Sequence, residues 1–164
     1  MSYYALDPRI NIRNKIGYTY NMDDVDRSTV SVTNDWGEYV YIPLLLPGEA
    51  RTGNLPEMPF VEMNLITSPA RALNIGGNVR EQDAYIDFNL YYVNNDKITP
   101  TVFGTTVANE IIDRITDNRC SVTSCSFVEV INDGREYLEE YEGGKSVIFH
   151  KIIEVHVKYY DDER

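Results

Sequence analysis

Residues 83–93 read DAYIDFNLYYV. Ala84, Ile86, Phe88, Leu90 and Tyr92 share one parity, and Tyr85, Asp87, Asn89 and Tyr91 share the other. In an extended chain successive side chains point to opposite faces, so this stretch is a strand with one buried face and one wetter face. The cover for the buried face follows at once. Thr99-Pro100 places a capping residue before a proline at the first helical position. Phe103, Val107, Ile111 and Ile115 then recur at every fourth position, with Ala108 and Ile112 beside them. That spacing puts one apolar stripe on a helix over about 100–117, which Asn118 ends.

Further along, residues 121–131 read as another strand. Asn132-Asp133-Gly134 supplies turn chemistry, and an acidic segment, Glu136 to Glu142, runs to Gly143-Gly144. The last strand is the longest. Val147, Phe149, Ile153, Val155, Val157 and Tyr159 share a face interrupted by Lys151, while Ile148, His150, Ile152, Glu154, His156 and Lys158 share the other.

Towards the N-terminus, Asp7-Pro8 begins a short helix carrying Ile10, Ile12 and Ile16, and Gly17 stops it. Asp23, Asp24 and Asp26 suggest a polar loop. Residues 29–32 and 38–45 are rich in β-formers and flank the turn-like Asn34-Asp35-Trp36-Gly37, a hairpin pattern. Residues 47–59, with three prolines, read as loop, 60–66 as a strand, and 68–82 as a long polar excursion around Gly76-Gly77. Helices do not alternate with strands, so a doubly wound parallel sheet is disfavoured. The expected fold is α+β: a mostly antiparallel or mixed sheet with one main amphipathic helix packed on one face, and a short N-terminal helix. The 164 residues fit one domain, with 1–54 as a helix-and-hairpin region and 55–164 as the sheet-and-helix core.

The net charge of −11 repels phosphate backbones and anionic lipid, which argues against specific nucleic-acid binding and membrane association. The longest apolar block, Tyr39 to Leu46, contains Pro43 and is too short to span a bilayer. No basic start followed by an apolar run appears, so no secretory leader is expected. Thirteen tyrosines suit surfaces that are wet before assembly and dry after it, although half-buried strand positions account for tyrosine equally well.

Residues for chemistry are sparse. His150 and His156 share a strand face but stand roughly 20 Å apart at about 3.3 Å per residue. Glu154 and His156 could form half of a metal site, yet no third ligand is evident, and catalytic zinc uses three protein ligands. Cys120 and Cys125 lack the second pair of a zinc-finger pattern and read as structural. Asp23-Asp24-x-Asp26 lacks the glycine and glutamate of a calcium loop. Ile75-Gly76-Gly77 lacks the lysine and helix of a phosphate-binding loop. The expectation is a docking module with no catalytic residue, metal or cofactor. Its candidate assembly-interface residues are Arg71, Gly76, Gly77, Arg80, Tyr137 and Tyr141.

Residues 55–161 carry a further pattern. It comprises Pro59-Phe60-Val61-Glu62-Met63, the Ser68-Pro69 and Ile75-Gly76-Gly77 loop, the alternating strand Ala84 to Tyr92, the helix end Ile111-Ile112-Asp113-Arg114-Ile115, and the strand Phe149 to Tyr159. In element order and pattern this resembles the tail terminator, or tail-completion, proteins of tailed phages and related archaeal viruses. That family usually begins with a longer helix than Asp7 to Ile16 supplies. The resemblance implies a virion structural protein made in the host cytoplasm, with a mixed sheet and helices on one side. It implies a six-fold ring of this chain that caps the tail tube protein and meets a head-side connector protein. DNA would pass through the lumen without specific binding. The competing expectations are another head–tail connector or tail-tube-associated protein, a small metal-dependent enzyme using Glu154 and His156, and a cytosolic adaptor.

Overall fold

The computed structural model describes residues 7–22, 25–50, 58–67, 71–72, 79–94, 97–140 and 147–162. The element order is α1 (Pro8–Ile16), β1 (Tyr18–Met22), β2 (Val25–Thr33), β3 (Tyr39–Leu45), α2 (Pro47–Ala50), β4 (Phe60–Thr67), β5 (Arg71–Ala72), β6 (Val79–Val93), α3 (Pro100–Asp117), β7 (Cys125–Glu140) and β8 (Val147–Asp162). Among the described residues the strands form one eight-stranded sheet in the order β1-β2-β3-β4-β6-β8-β7, with β5 pairing to β6. Every pairing is antiparallel except β3 with β4. The expected α+β class, with one main helix on a largely antiparallel sheet, is what the chain adopts.

The alternation in β6 translates directly into burial. Ala84, Ile86, Phe88, Leu90 and Tyr92 are fully buried, and α3 lays Phe103, Val107, Ala108, Ile111 and Ile115 over that face. Burying each such apolar side chain contributes roughly 1.5–3 kcal/mol, so this helix-on-sheet contact is the main source of cohesion. Helix α3 packs against β6 and β8 in the middle of the sheet, and also against β7 near one edge and β2 near the other. The sheet therefore curls around the helix.

Helix α1 is tied down by arginines. Its N-cap Asp7 accepts a hydrogen bond from the Arg9 backbone N–H at 2.9 Å. Arg9 Nη1 donates to the Met63 carbonyl of β4 at 3.1 Å, and Arg13 Nη1 donates to the Leu44 carbonyl of β3 at 3.3 Å. From α3, Arg114 Nη1 donates to the Ile16 carbonyl at 2.7 Å. A cation there also complements the negative end of the α1 dipole.

Several expectations need correction. Asp26 is not in a loop but in β2, which pairs with the unanticipated β1; Asp23 and Asp24 lie outside the described residues. Residues 47–50 form the single turn α2, and the rest of that expected loop up to residue 57 is outside the described residues. The expected excursion over 68–82 contributes β5 and the first residues of β6. The strand expected from 121 begins only at Cys125, after a run of turns.

Asn132-Asp133-Gly134 does not reverse the chain. Strand β7 continues through it to Glu140, with register shifts against β8 between Cys125 and Phe127, Val130 and Asn132, and Asn132 and Arg135. These are β-bulges, in which extra residues bend a strand without ending it. Thr99 occupies the N-cap position of α3 but makes no side-chain cap; its Oγ1 donates instead to Asp35 Oδ2 at 2.7 Å. That bond ties the start of α3 to the β2–β3 turn.

Candidate functional site

The outer face of the sheet, opposite α3, carries the polar and aromatic residues. The strand registers sort them into rungs running across β4, β6, β8 and β7. Phe60, Tyr91, His150 and Tyr137 form one rung, and Ile66, Tyr85, His156 and Glu129 form another. Between these lie Glu62, Asn89, Ile152 and Arg135, then Asn64, Asp87, Glu154 and Asn132.

Each histidine stacks on the tyrosine opposite it. His150 lies 4.3 Å from Tyr91 between ring centroids, and His156 lies 5.1 Å from Tyr85. Each is also held by a hydrogen bond, with His150 Nε2 donating to Asn89 Oδ1 at 2.9 Å and His156 Nε2 donating to Asp83 Oδ1 at 3.0 Å. The buried Asn89 in turn donates through Nδ2 to the Glu62 and Asp87 carbonyls. Near β3 this face has a small apolar cluster of its own, in which Leu45 and Phe60 are buried against Met58 and Tyr91.

Asp87 and Glu154 stand directly opposite each other between the two Tyr–His pairs. Burial pushes the Asp87 carboxyl above its ordinary range, and repulsion from Glu154 adds to the shift. Like charges directly opposite on neighbouring strands are destabilising. A carboxyl whose folded pKa is raised contributes stability below its ordinary pKa and loses that contribution as the pH rises through the folded value. Asp87→Asn is therefore expected to raise the melting temperature at pH 7, with the gain fading as the pH falls to about 4. Melting curves of both proteins from pH 3 to 8 test this; a difference independent of pH would show that the Asp87–Glu154 repulsion is not its source.

The bulges of β7 open a recess of about 250 Å³ beside these rungs, lined by Asn132, Tyr137, Ile152 and Glu154. At the β1–β3 end, the outer face carries a tyrosine cluster. Tyr20 and Tyr41 stack with ring centroids 3.7 Å apart, Tyr18 meets Tyr41 edge-on, and Tyr39 stands 71% exposed beside them. Trp36, in the adjoining turn, is exposed with the Lys97 ammonium 4.9 Å from its ring centroid.

The candidate interface residues do not gather at one place. Arg71 and Arg80 lie on the paired strands β5 and β6, where Arg71 opposes Glu81 and Arg80 opposes Ala72 and Asp161. Tyr137 sits in the rung of Tyr91, eleven residues along β6 from Arg80 and so roughly 36 Å away at about 3.3 Å per residue. Gly76, Gly77 and Tyr141 lie outside the described residues. His150 and His156 occupy different rungs, and among the described residues no three His, Cys, Asp or Glu side chains converge. Cys120 is exposed and Cys125 half-buried, both as free thiols, and burial pushes the Cys125 thiol up to about 12.

Sequence reading missed the Tyr–His stacks and the recess. Both depend on cross-strand register, and the only sequence signal for either was the shared parity of His150, Glu154 and His156. No helix among the described residues is long and apolar enough to cross a membrane. No family model matches the chain, and no curated protein matches it.

Proposed function

We propose that this chain is a non-catalytic structural subunit that closes into a ring, similar to the tail terminators that cap a viral tail tube. The observation that carries the proposal is a pair of unlike sticky patches at the two edges of one sheet. At the β1–β3 edge stand the exposed Tyr20 and Tyr39, with Trp36 in the adjoining turn. At the β7–β8 edge stand Ile131, Tyr137, Leu138 and Val147, of which Leu138 is 68% exposed. A closed ring is built from head-to-tail contacts, in which one patch of each subunit meets a different patch of the next. Tyrosine and tryptophan are enriched in such contacts because their rings bury well while their polar tips stay paired.

In this reading the ring has six subunits, rests on the tail tube protein, meets a head-side connector protein and lets DNA pass. The net charge of −11 suits a lumen that repels phosphate. Light scattering and negative-stain electron microscopy at high protein concentration, with and without tail tube protein, test the proposal. Rings are expected, and Leu138→Asp is expected to abolish them. Because Leu138 is exposed, the same variant is expected to change folding stability by no more than about 0.5 kcal/mol. A chain that stays monomeric and forms no ring on the tube would sink the proposal. Rings found on the head-side connector rather than on the tube would favour the connector alternative.

A further inference from the structure

We infer that Trp36 of one subunit seats on the apolar strip around Leu138 of the next, a contact that rests on the ring reading and names the two patches that meet. Trp36 is the single tryptophan of the chain and stands 60% exposed in the β2–β3 turn. The turn holds it in place. Asn34 Oδ1 accepts from the Trp36 and Glu38 backbone N–H groups, both at 3.0 Å, and Gly37 takes a left-handed backbone with φ 77°. The Asp35 N–H donates to the Lys97 carbonyl at 2.9 Å. The Lys97 ammonium lies over the indole and pairs with Glu38 at 3.4 Å. A side chain fixed before docking loses little freedom on binding, and tryptophan is enriched among the residues that dominate interfaces.

The receiving strip lies on the α3 side of the sheet, where the cover of α3 runs out. Leu138, Phe149 and Tyr92 share one rung. Phe103 of α3 packs on Tyr92, and Phe149 is half-buried beside it, but Leu138 at the β7 edge is left 68% exposed. Val147, two residues from Phe149 and so on the same face of β8, is exposed as well. Level selects the occupant. In a closed ring with the two sheet edges facing neighbours, the patches that touch stand at one level along the strands. Trp36 and Leu138 do. The Trp36 turn is bonded to Lys97 and Thr99, which lead into α3, and the Leu138 rung meets Phe103 in the first turn of α3. Ile131, seven residues earlier on β7, is roughly 20 Å off that level at about 3.3 Å per residue. Charge opposes the contact, so its attraction is apolar: each copy carries −11, with Asp35 and Glu38 beside Trp36 and Glu136 two residues from Leu138. Salt screens that repulsion and is therefore expected to tighten the contact.

The single tryptophan makes the test direct. A Leu138→Asp chain keeps Trp36 and lacks the strip, whereas a Trp36→Ala chain keeps the strip and contains no tryptophan. Full-length Leu138→Asp protein is titrated with full-length Trp36→Ala protein while tryptophan emission is followed. The emission is expected to shift to the blue as the indole leaves water, and the midpoint to fall to lower concentration with added salt. Light scattering is expected to stop at a 1:1 pair, because the strip and the indole left over in that pair are the two disabled ones. A chain carrying both substitutions is expected to cause no shift. In the parent, Trp36→Ala is expected to raise the concentration needed for assembly about thirtyfold, with the melting temperature close to the parent's. Parent rings whose Trp36 emission stays that of an indole in water would overturn this contact and leave the ring reading standing. So would an assembling parent combined with no shift in the titration, or with an equal shift from the doubly substituted chain. A parent that stays monomeric and forms no ring on the tube would take the ring reading and this contact down together.

Discussion

Ile111→Asp is expected to leave the chain unfolded at room temperature. Ile111 is completely buried in the middle of the α3 stripe, between Val107 and Ile115 on the helix and within the core that α3 shares with the sheet. The substitution removes a buried aliphatic side chain, which alone costs about 2–5 kcal/mol on truncation, and it also places a carboxyl where no donor is at hand. A domain of this kind holds a total of about 5–15 kcal/mol, so the combined loss is comparable with the whole. Circular dichroism and a thermal melt would report it, with Ile111→Val as the control, expected to cost only about 0.5–1.5 kcal/mol. A cooperative melt for Ile111→Asp near the parent temperature would mean that α3 does not pack on the sheet as described.

The second large effect runs against ordinary helix propensity. Alanine in place of a helical glycine normally stabilises by about 1 kcal/mol. At position 104 of α3 the opposite is expected. A Cβ built there meets the Tyr92 hydroxyl and lies 2.7 Å from Tyr92 Cζ. Tyr92 has little room to yield: its ring stacks against Phe149 at 5.4 Å and packs on Phe103 at 5.5 Å, while its hydroxyl donates to Glu136. Overpacking of this kind costs about 1–3 kcal/mol, enough to outweigh the propensity gain. Gly104→Ala is thus expected to lower stability in chemical denaturation, and Gly104→Leu to lower it further. Tyr92→Phe combined with Gly104→Ala should cost less than the sum of the two single changes, because the hydroxyl is the nearest obstacle. A Gly104→Ala protein more stable than the parent would refute this account of the contact.

Much of this architecture was readable in the chain because two periodicities are strong. The twofold alternation of residues 83–93 and the fourfold stripe from Phe103 to Ile115 each exceed any local propensity, and both became buried surfaces at the expected residues. What escaped reading had no such signal. The YTYNM of β1 lies at a sheet edge and pairs only with β2, and its Tyr18, Thr19, Tyr20 and Asn21 stay out of the buried core, so no apolar alternation marks it. The Asn-Asp-Gly of β7 has the composition of a hairpin turn, and a bulge asks for similar backbone freedom, so composition alone does not separate the two. Tyr137 was named from the sequence and stands exposed on the outer face, but its neighbours His150, Ile152 and Glu154 join it only through the pairing of β7 with β8. The recess and the opposed carboxylates are properties of register, which no single strand encodes.

The one parallel junction has a mechanical meaning. Strands β3 and β4 meet through only two register pairs, Leu44 with Val61 and Leu45 with Glu62, whereas β6 and β8 run together over fifteen. The β1–β3 portion is thus stitched to the rest of the sheet by a short seam, and the arginines of α1 and the eighteen-residue rod of α3, which touches β2 on one side and β7 on the other, supply further bridges. A push on the β7 edge thus has two routes to β2, the short seam of the ladder and the rod that touches both strands, so the two edges of the molecule are levers on a common axle.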